Sequence, residues 1–200
     1  MKHYTGRLNI CDEGNRSTMQ FDESKINSTL GETSKDDNSG KYVIKSDQKV
    51  LDFDEITKEV GGLYRNKKPL ASCDALYIKN DDQIYLIEFK NARKSRIGKT
   101  FFLQKAFDSL MTLAFAFYPG LSLKELSKRV YLIVVYNDDG IVEKEQKSVH
   151  FQAIKDKINS FTTQEHRVLF GLEIYRKVLY KEIFTVEKDY FMQQIYKKIF

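Results

Sequence analysis

The run Ile84-Tyr85-Leu86-Ile87-Glu88-Phe89-Lys90 constrains this chain more than any other segment. It reads as a buried strand that ends on a Glu-x-Lys pair. Side chains alternate along a strand, so Glu88 and Lys90 leave one face while Ile87 and Phe89 leave the other. A charged pair in so apolar a run is costly unless it is exposed, paired or coordinating a metal. Another carboxylate, Asp74, stands one hairpin upstream.

The pattern on either side supplies the elements. Phe53, Ile56 and Val60 share a helical stripe, and Gly61-Gly62 supplies a stop. A hairpin follows, with Ala75–Ile78 and Ile84–Lys90 joined by the polar turn Lys79-Asn80-Asp81-Asp82. An apolar helix is expected from Thr100 to Tyr118, ended by Pro119-Gly120. Lys105, Asp108, Ser109 and Thr112 interrupt it, which suits a buried core helix and not a membrane span. Val130–Tyr136 reads as a central strand. A helix over residues 144–161, strand-like stretches at Val168–Tyr175 and Ile183–Val186, and a closing helix from Lys188 follow. The order helix, hairpin, helix, strand predicts α/β layers around a mixed central sheet flanked by helices. Residues 1–50 are polar and read as a partly ordered N-terminal arm, with short strands near Leu8–Ile10 and Tyr42–Ile44. Residues 51–200 read as one domain, with its core motif at 52–136 and a C-terminal extension.

Composition narrows the class. A chain of 200 residues with 42% hydrophobic and 13% aromatic content has enough apolar surface for a real core. No stretch reaches the length of a membrane span, and the N-terminus has no apolar signal core, so a cytoplasmic protein is expected. Cys11 and Cys73 lie far apart with no CxxC spacing, so neither a disulfide framework nor a zinc module is indicated. The net charge of +5 permits a polyanionic partner.

Asp74, thirteen intervening residues and then Glu88-Phe89-Lys90 resemble the signature of the PD-(D/E)XK nuclease superfamily, with Cys73 where the name has proline. The resemblance covers residues 52–136 and implies a restriction-endonuclease-like αβββαβ core. It implies catalytic roles for Asp74, Glu88 and Lys90. Hydrolysis of a phosphodiester needs charge neutralisation on the non-bridging oxygens and a deprotonated water placed in line. Asp74, Glu88 and the backbone carbonyl of Phe89 are hard oxygen donors suited to Mg²⁺ (or Mn²⁺). Lys90 would orient the attacking water. Related nucleases often draw another carboxylate from the preceding helix, where Glu59 lies nearer the apolar stripe than Glu55. They also often carry a polar residue on the following helix, here Gln104. The plainer alternative for the whole motif is an edge strand with a surface Glu/Lys pair.

Arg93, Lys94, Arg96 and Lys99 crowd the loop after the strand with no acidic residue among them, a pattern suited to gripping nucleic-acid phosphates. Tyr64, Arg65, Lys67 and Lys68 would extend that surface. Other constellations fail. Gly98-Lys99-Thr100 ends like a P-loop, but Arg93 stands where the required glycine would be. His3, His150 and His166 are isolated. Phe101, Phe102, Phe107, Phe115 and Phe117 read as core or interface. The expectation is therefore a metal-dependent nuclease acting on DNA before RNA. The alternative is a non-catalytic nucleic-acid- or partner-binding module on the same fold. A homodimer would let two sites cut a duplex. Tyr190, Phe191, Ile195, Tyr196 and Phe200 would form its interface or cap the core.

Overall fold

The computed structural model describes residues 7–12, 15–63, 70–92, 98–137 and 168–200. They begin with a hairpin of β1 (Arg7–Asp12) and β2 (Asn15–Gln20). Next come α1 (Glu23–Ile26), β3 (Asn27–Thr29), α2 (Leu30–Thr33), β4 (Lys49–Asp52) and α3 (Phe53–Leu63). The central block is β5 (Ala75–Asn80), β6 (Gln83–Lys90), α4 (Lys99–Phe117), α5 (Leu123–Leu126) and β7 (Val130–Tyr136). A 3-10 turn (Leu172–Tyr175), β8 (Glu182–Glu187) and a helical run over 188–199 complete the order.

Strands β3 to β8 form one open mixed sheet in sequence order. From β3 to β6 neighbours run antiparallel; β6, β7 and β8 run parallel. Strand β6 is the pivot. A tight turn suffices to bring β5 against it, whereas its parallel partner β7 needs a crossover, which α4 supplies. Its two faces follow the alternation in the sequence. Ile84 and Leu86 pack with Phe53, Ile56, Phe102, Ala106 and Leu110 of α3 and α4. Tyr85, Ile87 and Phe89 pack on the other side with Leu30, Val43, Ile44, Phe191, Ile195 and Ile199. Parallel strands need cover on both faces, and the two apolar clusters provide it.

Residues 21–50, the latter part of the expected 1–50 arm, contribute to both clusters: Phe21 and Ile26 to the first, Leu30, Val43 and Ile44 to the second. Phe21, Ile26, Leu30, Val43 and Ile44 are buried, and β3 adds an edge strand to the sheet. Gly31 shows how closely this segment is applied: its N–H donates to the Ser46 carbonyl at 2.9 Å, and a Cβ there would come within 2.8 Å of that oxygen. The strand expected near Leu8–Ile10 is part of β1, but at Tyr42–Ile44 only a single bridge forms, between Tyr42 and Lys35.

Further differences have local causes. Helix α3 continues through Gly61-Gly62 to Leu63. The described residues between α3 and α4 carry two strands, and β4, antiparallel to β5, precedes α3. The expected strand over Val168–Tyr175 is absent because Phe170 and Gly171 both take left-handed backbone, φ 62° and 76°, which an extended chain cannot continue. That turn sets the Phe170 ring on Phe102, with centroids 5.0 Å apart. Of the phenylalanines read as core or interface, Phe102 is buried while Phe101, Phe107 and Phe115 are exposed. The expected helix over 144–161 lies outside the described residues. Among the described residues no helix is long and apolar enough to cross a membrane.

Candidate active site

Strand β6 directs Glu88 and Lys90 toward α4, as the positions of Ile84 and Leu86 require. Glu88 is 1% exposed, and both of its oxygens accept from lysines. Lys105 Nζ, from α4, lies 2.9 Å from Oε1 and 2.8 Å from Oε2. Lys90 Nζ lies 3.1 Å from Oε1. Lys105 Nζ also stands 3.6 Å from Asp74 Oδ1, so one ammonium bridges the two carboxylates.

Asp74 is placed by its own backbone. Its N–H donates to the Ile87 carbonyl at 3.0 Å, and its carbonyl accepts from the Phe53 N–H at 3.1 Å. Its carboxylate Oδ2 then accepts the Phe89 N–H at 2.6 Å, extending the β5–β6 ladder by a side chain. In an extended strand a residue's N–H and C=O leave the same edge, so the Phe89 carbonyl points to the edge where Asp74 lies. The segment before β5 is pinned to α4: the Ala71 N–H donates to Asp108 Oδ2 at 3.1 Å and the Cys73 N–H to Ser109 Oγ at 2.8 Å.

Burial, with Glu88 close by, holds the Asp74 carboxyl well above the ordinary carboxylate range, against the opposing pull of Lys105 and the Phe89 N–H. For Lys105, burial works against the charge, but Glu88 and Asp74 outweigh it and raise its pKa above that of a free lysine. Burial also pushes the Cys73 thiol up, with the Glu88 charge adding to the effect.

The structure brings Asp74, Glu88 and Lys90 together. Asp74, Glu88 and the Phe89 carbonyl form a hard oxygen set whose chemistry fits Mg²⁺, an ion commonly held by one or two carboxylates with substrate phosphate and water. Among the described residues no group of three or more His, Cys, Asp or Glu side chains forms a metal-ligand set, so Glu59 does not join the pair. The acid of α3 whose charge acts on Asp74 is Asp54, which accepts a short hydrogen bond from the Ser72 hydroxyl. Gln104 is exposed and donates at 3.4 Å to Asp108 Oδ2, the oxygen that also accepts the Ala71 N–H. Lys99 is exposed at the first residue of α4; Arg93, Lys94 and Arg96, with Tyr64, Arg65, Lys67 and Lys68, lie outside the described residues.

Lys105 is the site residue that the motif does not contain. Its signal was its position: Phe102, Lys105 and Ser109 follow helical spacing on the buried side of an apolar helix, where a lysine needs an acid. Gln104, one residue earlier, is rotated about 100° away. Half-exposed Phe101 completes the surroundings, with the Lys90 and Lys105 ammoniums 5.1 and 5.3 Å from its ring centroid. Comparison of the chain with protein-family models, with curated proteins and with solved structures found no match.

Proposed function

We propose that this chain is a divalent-metal-dependent nuclease with a restriction-endonuclease-like core, hydrolysing DNA in preference to RNA. The observation that carries the reading is the convergence of the Asp74 and Glu88 carboxylates on one ammonium, with Lys90 beside them on the same strand face. The spacing of Asp74 and Glu88-Phe89-Lys90 supports it, as does their position just before β5 and at the end of β6 in a mixed sheet backed by α4.

Asp74, Glu88 and the Phe89 carbonyl would hold Mg²⁺ or Mn²⁺, which when bound supplies charge neutralisation and a more acidic water. The chain's own groups do the positioning. The Phe89 N–H fixes the Asp74 carboxylate. Glu88 Oε1 fixes the Lys90 ammonium, whose side chain is 30% exposed and can donate to an attacking water and to charge developing on phosphate oxygens. Arg93, Lys94, Arg96 and Lys99 would hold the nucleic-acid backbone without reading bases.

Cleavage of duplex, single-stranded, branched and RNA substrates with and without Mg²⁺ tests the reading. Asp74→Ala and Lys90→Ala are each expected to lower turnover by about a hundredfold or more while leaving far-UV circular dichroism unchanged. Cleavage that survives both changes removes the mechanism. One observation favours a second reading, a non-catalytic binding module: the carboxylates are already balanced by Lys90 and Lys105. Titration with Mn²⁺ separates the two, since the module would take up no ion.

A further inference from the structure

We propose that Lys105 is a tethered cation occupying the position of the divalent ion, so that ion binding and withdrawal of Lys105 are a single event. This rests on the reading that Asp74 and Glu88 hold a divalent ion. The Lys105 ammonium contacts both Glu88 oxygens and stands 3.6 Å from Asp74 Oδ1, in the space the ion would share. Mg²⁺ binds oxygen at about 2.0–2.1 Å, so it and the ammonium cannot use the same carboxylate oxygens from the same point.

Charge supports the exchange. Two carboxylates and two ammoniums converge in an enclosed site where Glu88 is 1% exposed and the Lys105 side chain 12%. A dication added to that set would leave an uncompensated double positive charge, which burial disfavours. Withdrawal of Lys105 halves it and frees an ammonium to meet the negative charge of a phosphate. The structure also offers a place to withdraw to. The half-exposed Phe101 ring has its centroid 5.3 Å from Lys105 Nζ, and the flexible lysine stem can carry the ammonium outward across its face. Lys105 thus holds the acids together until ion and substrate arrive, and makes ion affinity depend on the phosphate that accepts the freed ammonium.

Calorimetric titration with Mn²⁺, without nucleic acid, tests this. Lys105→Gln is expected to bind one ion at least tenfold more tightly than the wild type, Lys105→Arg to bind as weakly as the wild type, and Glu88→Gln added to Lys105→Gln to abolish binding. Equal or weaker binding by Lys105→Gln, where the wild type binds, overturns the proposal and leaves the nuclease reading standing. No binding by either protein overturns both. A measurement on the unmutated side chain covers the case in which Lys105→Gln fails to fold. In wild-type protein carrying ¹³Cε-lysine, saturating Mg²⁺ should shift the Lys105 resonance, assigned through Lys105→Arg. Saturable ion binding with that resonance unmoved overturns the proposal.

Discussion

Asp74 shows how a single residue can serve geometry at a cost in stability. Its carboxylate takes the Phe89 N–H, but burial and the Glu88 charge disfavour its ionised form. The native carboxyl therefore keeps its proton at pH values where the unfolded chain has released it. Across that window stability falls as pH rises, and above the native pKa the penalty is complete. Asp74→Asn keeps an acceptor for Phe89 and removes the charge. It is expected to be more stable than the wild type at pH 8, with the gain shrinking as pH falls to the ordinary carboxylate range. Denaturant midpoints of both proteins from pH 4 to 8 check this; a variant less stable at pH 8 would mean that attraction to Lys105 outweighs burial. The neighbouring Cys73 makes a different prediction. Its thiol is fully buried and pushed up by that burial, so little thiolate forms. In a Cys11→Ser background, a thiol reagent is expected to label Cys73 only as fast as the protein unfolds, read by mass spectrometry.

At the scale of elements, α4 does more to build the site than its sequence advertises. Its buried stripe of Phe102, Ala106, Leu110 and Leu113 fixes it against the sheet, and three of its polar residues meet groups in or near Asp74. Lys105 meets the acids, Asp108 the Ala71 N–H and Ser109 the Cys73 N–H. Ser109→Ala would leave the buried Cys73 N–H without its acceptor, at a cost of about 1–3 kcal/mol. Gln104→Ala, on the exposed side, is expected to stay within about 0.5 kcal/mol of the wild type. Chemical denaturation of the two variants distinguishes an inward from an outward side chain on the same helix. This is also where the sequence was legible and where it stopped being so. Strand β6 could be read because period-two alternation separates Glu88 and Lys90 from Ile87 and Phe89 without knowledge of any partner. Lys105 could not be assigned from the Glu-x-Lys motif, because its role depends on which side of α4 faces a sheet reached only through tertiary packing. The same reason kept Asp54 hidden behind Glu59.

The whole molecule depends on a layer that has no periodic signal. Leu30 and the pair Val43-Ile44 are sparse apolar residues in a polar stretch, and the far face of the sheet gives them a common partner. They share that face with the C-terminal helical run, where Phe191, Ile195 and Ile199 are buried, so this segment caps the core. The Phe191 ring meets Phe89 edge-on at 6.4 Å, directly behind the residue whose N–H holds Asp74. The cap and the candidate site are therefore opposite sides of one strand, and loss of the first should be felt at the second. Phe191 is fully buried, and Phe→Ala in a core costs about 3–5 kcal/mol. A domain commonly has only about 5–15 kcal/mol in total, so Phe191→Ala should remain folded but with a clearly lowered thermal midpoint. Ending the chain at Glu187 removes Phe191, Ile195 and Ile199 together and bares the parallel strands on one side. That protein is expected to bind a hydrophobic dye and to lose its sharp thermal transition, whereas the point variant keeps one. If the truncated chain instead melts cooperatively within a few degrees of the full-length protein, the first apolar layer suffices alone, and coupling of the C-terminal cap to the site is refuted.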